Sequence, residues 1–125
     1  MSPKAKPSAP PDRVQAYERL VAAVPEVERK GATMPYTSVN GNMFSYLDAS
    51  GSMALRLSPD DRTAFIERFS TALHEAYGVV QKEYATVPAD LLDDTERLLP
   101  WFRASLAYTL SLTPKPTPRP KRPGA

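Results

Sequence analysis

The pair Asn40-Gly41, set between two runs rich in Tyr, Thr, Val and Phe, narrows the fold more than any other feature of this chain. A tight type I′ hairpin turn needs two successive residues that tolerate positive φ, and Asn followed by Gly supplies them at little cost. A second break, from Asp48 to Ser52, precedes Met53, Leu55 and Leu57 in alternation with Ala54 and Arg56. The segment predicts a three-stranded antiparallel meander, roughly 33 to 39, 42 to 48 and 53 to 57, with one buried face and one at least partly wet. Such a sheet needs helices over its apolar face.

Helical periodicity is present on both sides of it. Val14, Tyr17, Leu20, Val21 and Val24 fall at helical spacing, with Pro11 and Asp12 suited to a first turn and Pro25 as the stop. After the meander, Ser58 offers a hydroxyl N-cap, Pro59 suits the first helical position, and Asp60 and Asp61 favour the positive end of the helix dipole. Phe65, Ile66, Phe69, Ala72, Leu73, Ala76 and Tyr77 then form one apolar arc, which predicts a helix running to Gly78. Residues 79 to 87 have the composition of a fourth strand, ended by Pro88. A short turn leads to a last helix carrying Leu98, Leu99, Trp101, Phe102, Leu106, Leu110 and Leu112, where Pro100 predicts a kink or break. The expected class is α+β: a two-layer sandwich of order α-β-β-β-α-β-α, the antiparallel meander plus a fourth strand being covered by helices.

At 125 residues the chain fits one domain. Nine of its fourteen prolines lie in 1–11 and 113–125, where large apolar side chains are almost absent. Residues 1–10 and 113–125 are therefore expected to be disordered tails, the last biased to polyproline II, around a folded unit at 11–112. Six of sixteen cations and none of fourteen anions fall in the tails, leaving residues 11–112 with a formal charge of −4. A duplex-binding surface needs a basic footprint, and the folded unit does not advertise one. The footprint that exists is Lys115, Arg119, Lys121 and Arg122, a candidate nucleic-acid arm whose plainer use is to keep the terminus soluble.

The absence of cysteine excludes disulfides, thiolate metal sites and a cysteine nucleophile. The single histidine, His74, falls opposite Phe65, Phe69 and Ala76 on a helical wheel, which predicts an ordinary surface residue. Asp90, Asp93, Asp94 and Glu96 lack the spacing of a calcium loop and are expected to serve helix starts. The five glycines, at 31, 41, 51, 78 and 124, form no phosphate-binding loop. Tyr36, Phe44, Tyr46, Tyr84, Trp101 and Phe102 could make a base-stacking platform, but only Arg56 and Lys82 accompany them, so sheet and core packing is the simpler use. Neither an enzyme nor a cofactor or metal site is expected. Candidate partner-interface residues are Tyr36, Tyr46, Trp101 and Tyr108. No apolar run approaches the roughly 18 residues of a membrane span, and a cytoplasmic protein is expected.

Met43-Phe44, Leu55 and Leu57, Asp60-Asp61 with Phe65, Val87-Pro88 with Leu91 and Asp93, and Trp101 follow in an order that resembles the N-terminal domain of the TfoX/Sxy proteins, over about residues 30 to 112. Those proteins are linked in bacteria to control of natural competence. A fainter similarity, in the segment from Lys30 to Asp48, is to the YdhG-like small α+β proteins. The resemblance implies a compact sheet-and-helix domain without an established catalytic set. It suggests a regulatory or protein-interaction module, with an unknown protein partner or a second copy of the chain. The alternative is a nucleic-acid-associated protein that binds weakly through its basic C-terminal tail.

Overall fold

The computed structural model describes residues 10–31, 35–48, 50–76 and 78–112. The expected disordered tails, with Lys115, Arg119, Lys121 and Arg122, lie outside the described residues, as does Tyr77. Helix α1, Pro11–Ala22, has proline in its first turn beside Asp12, and it buries Ala16, Tyr17, Leu20 and Val21. Its start is tied to a later helix: Arg13 pairs with Asp93, and its Nη1 donates to the Ala89 carbonyl at 3.3 Å.

The predicted hairpin is present. Strand β1, Tyr36–Val39, turns through Asn40 (φ 56°) and Gly41 (φ 75°) into β2, Asn42–Leu47. Two successive positive φ values are what a type I′ turn demands. The pairing is not regular throughout: Thr37 faces Ser45 and Ser38 faces Met43, so Phe44 has no opposite residue on β1. Such a bulge lets neighbouring side chains share a face. Phe44 and Ser45 are both fully buried; the first packs on Phe102, ring centroids 5.4 Å apart, and the second bonds Tyr17.

Strand β3, Met53–Arg56, completes the meander, and α2, Pro59–Phe69, follows at once. Ser58 caps α2, its hydroxyl accepting from the Asp61 amide at 3.2 Å. The helix then stops at Phe69, short of the end of the apolar arc that predicts it. Ser70 takes a left-handed conformation (φ 52°, ψ 48°), and Leu73–Ala76 forms a strand, β4, paired with β5, Val79–Val87. The cause is tertiary. Thr71 Oγ1 donates to the Thr86 carbonyl at 2.7 Å and the Thr86 amide donates to the Ala72 carbonyl at 3.0 Å, so these residues join a sheet instead of a helix. A short α3, Ala89–Leu92, precedes α4, Thr95–Leu110, which runs unbroken through Pro100. Pro100 is exposed and early in the helix, where the one carbonyl it deprives, that of exposed Glu96, can turn to water. The fold is α+β as expected, with a fifth strand and the short α3 added to the predicted order.

The antiparallel sheet has the order β1-β2-β3-β5-β4. Phe44, Leu47, Met53, Leu55, Leu57, Ala85 and Val87 form the core with Tyr17, Leu20, Leu98 and Phe102 from the helices. The sheet is not flat. Two strands separate β2 from β4, a distance of about 14 Å at the usual strand spacing. Yet the His74 ring on β4 lies 5.6 Å from that of Tyr46 on β2. The coil arises where pairing jumps from Leu73 with Ala85 to His74 with Gln81, leaving Lys82 to Tyr84 without partners on β4. The β4–β5 hairpin thus folds over the outer sheet face. Ala54, predicted to be partly wet, is 0% exposed for this reason, and β3 is buried on both sides.

A polar triplet is embedded on the helix side. Tyr17 is completely buried, its hydroxyl 2.6 Å from Ser45 Oγ, which also bonds Thr37 Oγ1. Burial pushes the Tyr17 phenol up from its ordinary 10 to about 12, more than the two hydroxyl bonds pull it down. The unfolded chain ionises first, so this contribution is whole below pH 10 and lost as pH climbs towards 12. Denaturant titrations across that window should show Tyr17→Phe losing less stability than the parent, by roughly 2–3 kcal/mol at its top. Gly51, at φ 93°, leaves a Cβ only 2.8 Å from Arg13 Cγ and 3.2 Å from Pro10 Cδ. Gly51→Ala should cost about 1–2 kcal/mol, read as a lower urea midpoint with unchanged m-value.

Candidate functional site

The helices occupy one side of the sheet, and the other side carries Tyr36, Tyr46 and Tyr84 together with Arg56 and His74. Cross-strand pairing places Tyr36 beside Tyr46, Tyr46 beside Ala54, and Ala54 beside Thr86, all on this outer face. Ser38 pairs with Met43 and Arg56 with Tyr84 at its other end.

His74 belongs to this face, which overturns its expected place on a solvent-exposed helix surface. It lies on a strand, and strand geometry turns it inwards, where it is 2% exposed. The ring stands at 84° to Tyr46, its Nδ1 is 2.9 Å from Thr86 Oγ1, and its Nε2 is 3.2 Å from Asp48 Oδ2. That last approach is close but lacks hydrogen-bond alignment, so Nε2 is buried without a directed partner. Asp48 is held by its other oxygen, which accepts from the amides of Ser50 at 2.9 Å and Ser52 at 3.0 Å and from Ser50 Oγ. One carboxylate thereby both organises the β2–β3 turn and faces the histidine.

Carboxylate, imidazole and hydroxyl in a row invite comparison with a hydrolytic triad. Here the imidazole is enclosed beneath a hairpin, and Thr86 is locked into β5 by its amide and carbonyl bonds to Ala72 and Thr71. The cluster joins the β2–β3 turn to the β4–β5 hairpin.

Further along the face, the Tyr46 hydroxyl donates to Gln81 Oε1, and the Tyr84 hydroxyl donates to the Met43 carbonyl at 2.8 Å. Arg56 Nη1 reaches that same carbonyl at 3.3 Å, while its Nε and Nη2 hold Glu83 Oε1 at 2.7 and 2.6 Å. Its guanidinium also lies 5.9 Å from the Tyr84 ring centroid. Burial raises the Tyr84 phenol above its ordinary value; the Arg56 charge opposes this and the Glu83 charge adds to it. Two shallow hollows meet at Met43, one of about 380 Å³ beside Lys30, Tyr36 and Ser38, the other of about 410 Å³ beside Arg56, Lys82 and Tyr84.

Of the sequence-predicted interface residues, Tyr36 and Tyr46 are neighbours on this face. Trp101 is not with them: it packs edge-on against Phe65 and Phe69, centroids 5.2 and 5.8 Å away, where α2 meets α4. Tyr108 is half-buried on α4. The aromatic set divides likewise, with Phe44 and Phe102 in the core and Tyr36, Tyr46 and Tyr84 outside. Asp94 caps α4, accepting from the Arg97 amide, and Asp93 pairs with Arg13. Among the described residues no three His, Asp or Glu side chains gather as a metal would require, and no helix is long and apolar enough to cross a membrane.

Sequence reasoning missed the grouping of Asp48, His74, Gln81 and Thr86. Gly78 before Val79-Val80 is a hairpin signal that would have found β4. Nothing local connects Asp48 to His74. Tyr84→Phe should be mild, about 0.5–1.5 kcal/mol by chemical denaturation, because Arg56 still donates to the Met43 carbonyl.

The family model of the TfoX N-terminal domain matches residues 19–108, which span every strand and most of the helical layer. No curated protein sequence matches the chain.

Proposed function

The chain belongs to the TfoX N-terminal domain family, and from that premise we propose that it is a non-enzymatic regulatory module of the cytoplasm that works by protein contact through its outer sheet face. The observation that carries this reading is the one-sided helical layer. It leaves Tyr36, Met43, Arg56 and Tyr84 at the surface of a rigid sheet, braced by the bonds that Tyr84 and Arg56 make to the Met43 carbonyl. Pre-braced aromatic and arginine side chains beside a flexible methionine are the groups that anchor protein interfaces. The enclosure of His74 and the lack of cysteine support a role outside covalent catalysis.

A photoreactive amino acid at position 43, compared with one at exposed Glu67 on α2, tests this in cells. Discrete protein adducts from position 43 alone are expected; equal labelling from both positions, or none, would remove the reading. The tail-based nucleic-acid alternative makes a different prediction. It requires a low-salt band shift on mixed-sequence DNA that disappears when residues 113–125 are deleted.

A further inference from the structure

The charges around Met43 indicate what kind of partner the outer face fits, an inference that rests on reading that face as an interaction surface. The two hollows that meet at Met43 are lined by three cations, Lys30, Arg56 and Lys82, and by one acid, Glu83, which Arg56 already holds. Residues 11–112 as a whole carry a formal charge of −4, so this face runs against the balance of the domain. We propose that it receives an extended acidic segment of a partner protein, with a carboxylate at Lys30, an apolar side chain at Met43 and a second carboxylate at Lys82.

The Lys30 end has the chemistry of a carboxylate cradle. Lys30 Nζ donates to Ser38 Oγ at 3.2 Å, which leaves the remaining ammonium hydrogens and the Ser38 hydroxyl hydrogen free to donate. The Tyr36 phenol lines the same hollow as a further donor. Neither Lys30 nor Lys82 is in an ion pair among the described residues, so an incoming acid displaces no other. Between the lysines, Met43 lies beside Tyr84 and the half-exposed Val80, which suits an apolar side chain. Spacing makes the pattern specific. Ser38 pairs with Met43 and Arg56 with Tyr84, so the row from β1 through β2 and β3 to β5 crosses three strand intervals, about 14 Å at the usual separation. An extended chain rises about 3.4 Å per residue, which puts the two carboxylates roughly four positions apart. Alternate side chains share a face, so acid, apolar residue and acid at i, i+2 and i+4 all meet the sheet. The chain's own ends cannot supply such a segment, because residues 1–10 and 113–125 hold no Asp or Glu.

Selection of a random peptide library on the full chain tests this, with the chain carrying both Lys30→Glu and Lys82→Glu as counter-target. Both lysines are exposed; should the double reversal unfold the chain, Lys30→Gln with Lys82→Gln takes its place. The basic tail is common to both targets, so acidic peptides that bind it are subtracted. Peptides with two acids at the stated spacing about an apolar residue should be enriched on the parent alone, and the reversal should weaken their binding at least about tenfold. Equal enrichment on both targets, a preference for basic or uncharged peptides, or no enrichment overturns the proposal. Binding of a labelled oligothymidine that the reversal abolishes would assign the cations to phosphates, and a parent dimer that the reversal splits would assign the face to a second copy; either result also overturns it. The interaction reading is judged separately. Adducts from position 43 that persist undiminished in the double reversal keep the surface and remove the acidic segment. Absence of adducts from the parent, with peptide selection intact, would count against the interaction in cells alone.

Discussion

Met53, Ala54 and Leu55 have no solvent exposure because the helices cover one side of β3 and the β4–β5 hairpin folds over the other. A central strand buried on both faces is ordinary in a sheet with helices on each side. Here the second cover is the sheet's own edge. That arrangement requires coiling strong enough to bring β4 over β2, and the register jump in β5 provides it. The arrangement also leaves the rest of the outer face, around Met43 and Tyr36, without a cover, which is why a candidate surface exists at all.

The two sides of β3 are held by different physics. Towards the helices, apolar packing of Phe44, Leu55, Phe65, Leu98 and Phe102 dominates, and buried hydroxyls such as Tyr17 with Ser45 and Thr37, or Ser105 on the Arg56 carbonyl, are satisfied by hydrogen bonds. Towards the hairpin, small and polar side chains prevail, and His74 Nε2 is left without an aligned partner. A well-satisfied buried network rigidifies, whereas a buried polar atom without an aligned partner costs stability. The satisfied and the incompletely satisfied polar groups thus lie on opposite sides of one strand.

Much of the fold was legible because its signals are short-range. The Asn40-Gly41 turn, the Ser58 cap with Pro59 behind it, and the α1 stripe of Tyr17, Leu20 and Val21 each depend on residues within one or two turns of chain. Residues 70–76 were misread for the opposite reason. Their apolar spacing continues the α2 arc, and local pattern favours helix, but Thr71 and Ala72 bond to Thr86 far along the chain, and that pairing prevails. Once β4 is a strand, His74 changes from a surface residue to a buried one without any change in its neighbours in sequence. The candidate surface was half legible: Tyr36 and Tyr46 were rightly placed on the sheet, while Trp101 belongs with Phe65 and Phe69.

By itself the sequence determined the α+β class, the meander and its turn, the capped helix starts, the charge split between tails and core, and the family resemblance that the match over residues 19–108 bears out. Those depend on periodicity, turn chemistry and composition, which are written in adjacent residues. Only the tertiary structure decided that helix α2 ends at Phe69, that the sheet coils at Lys82–Tyr84, and that Asp48 meets His74. Each of these is a choice between conformations of similar local cost, settled by partners that coiling of the sheet brings within reach.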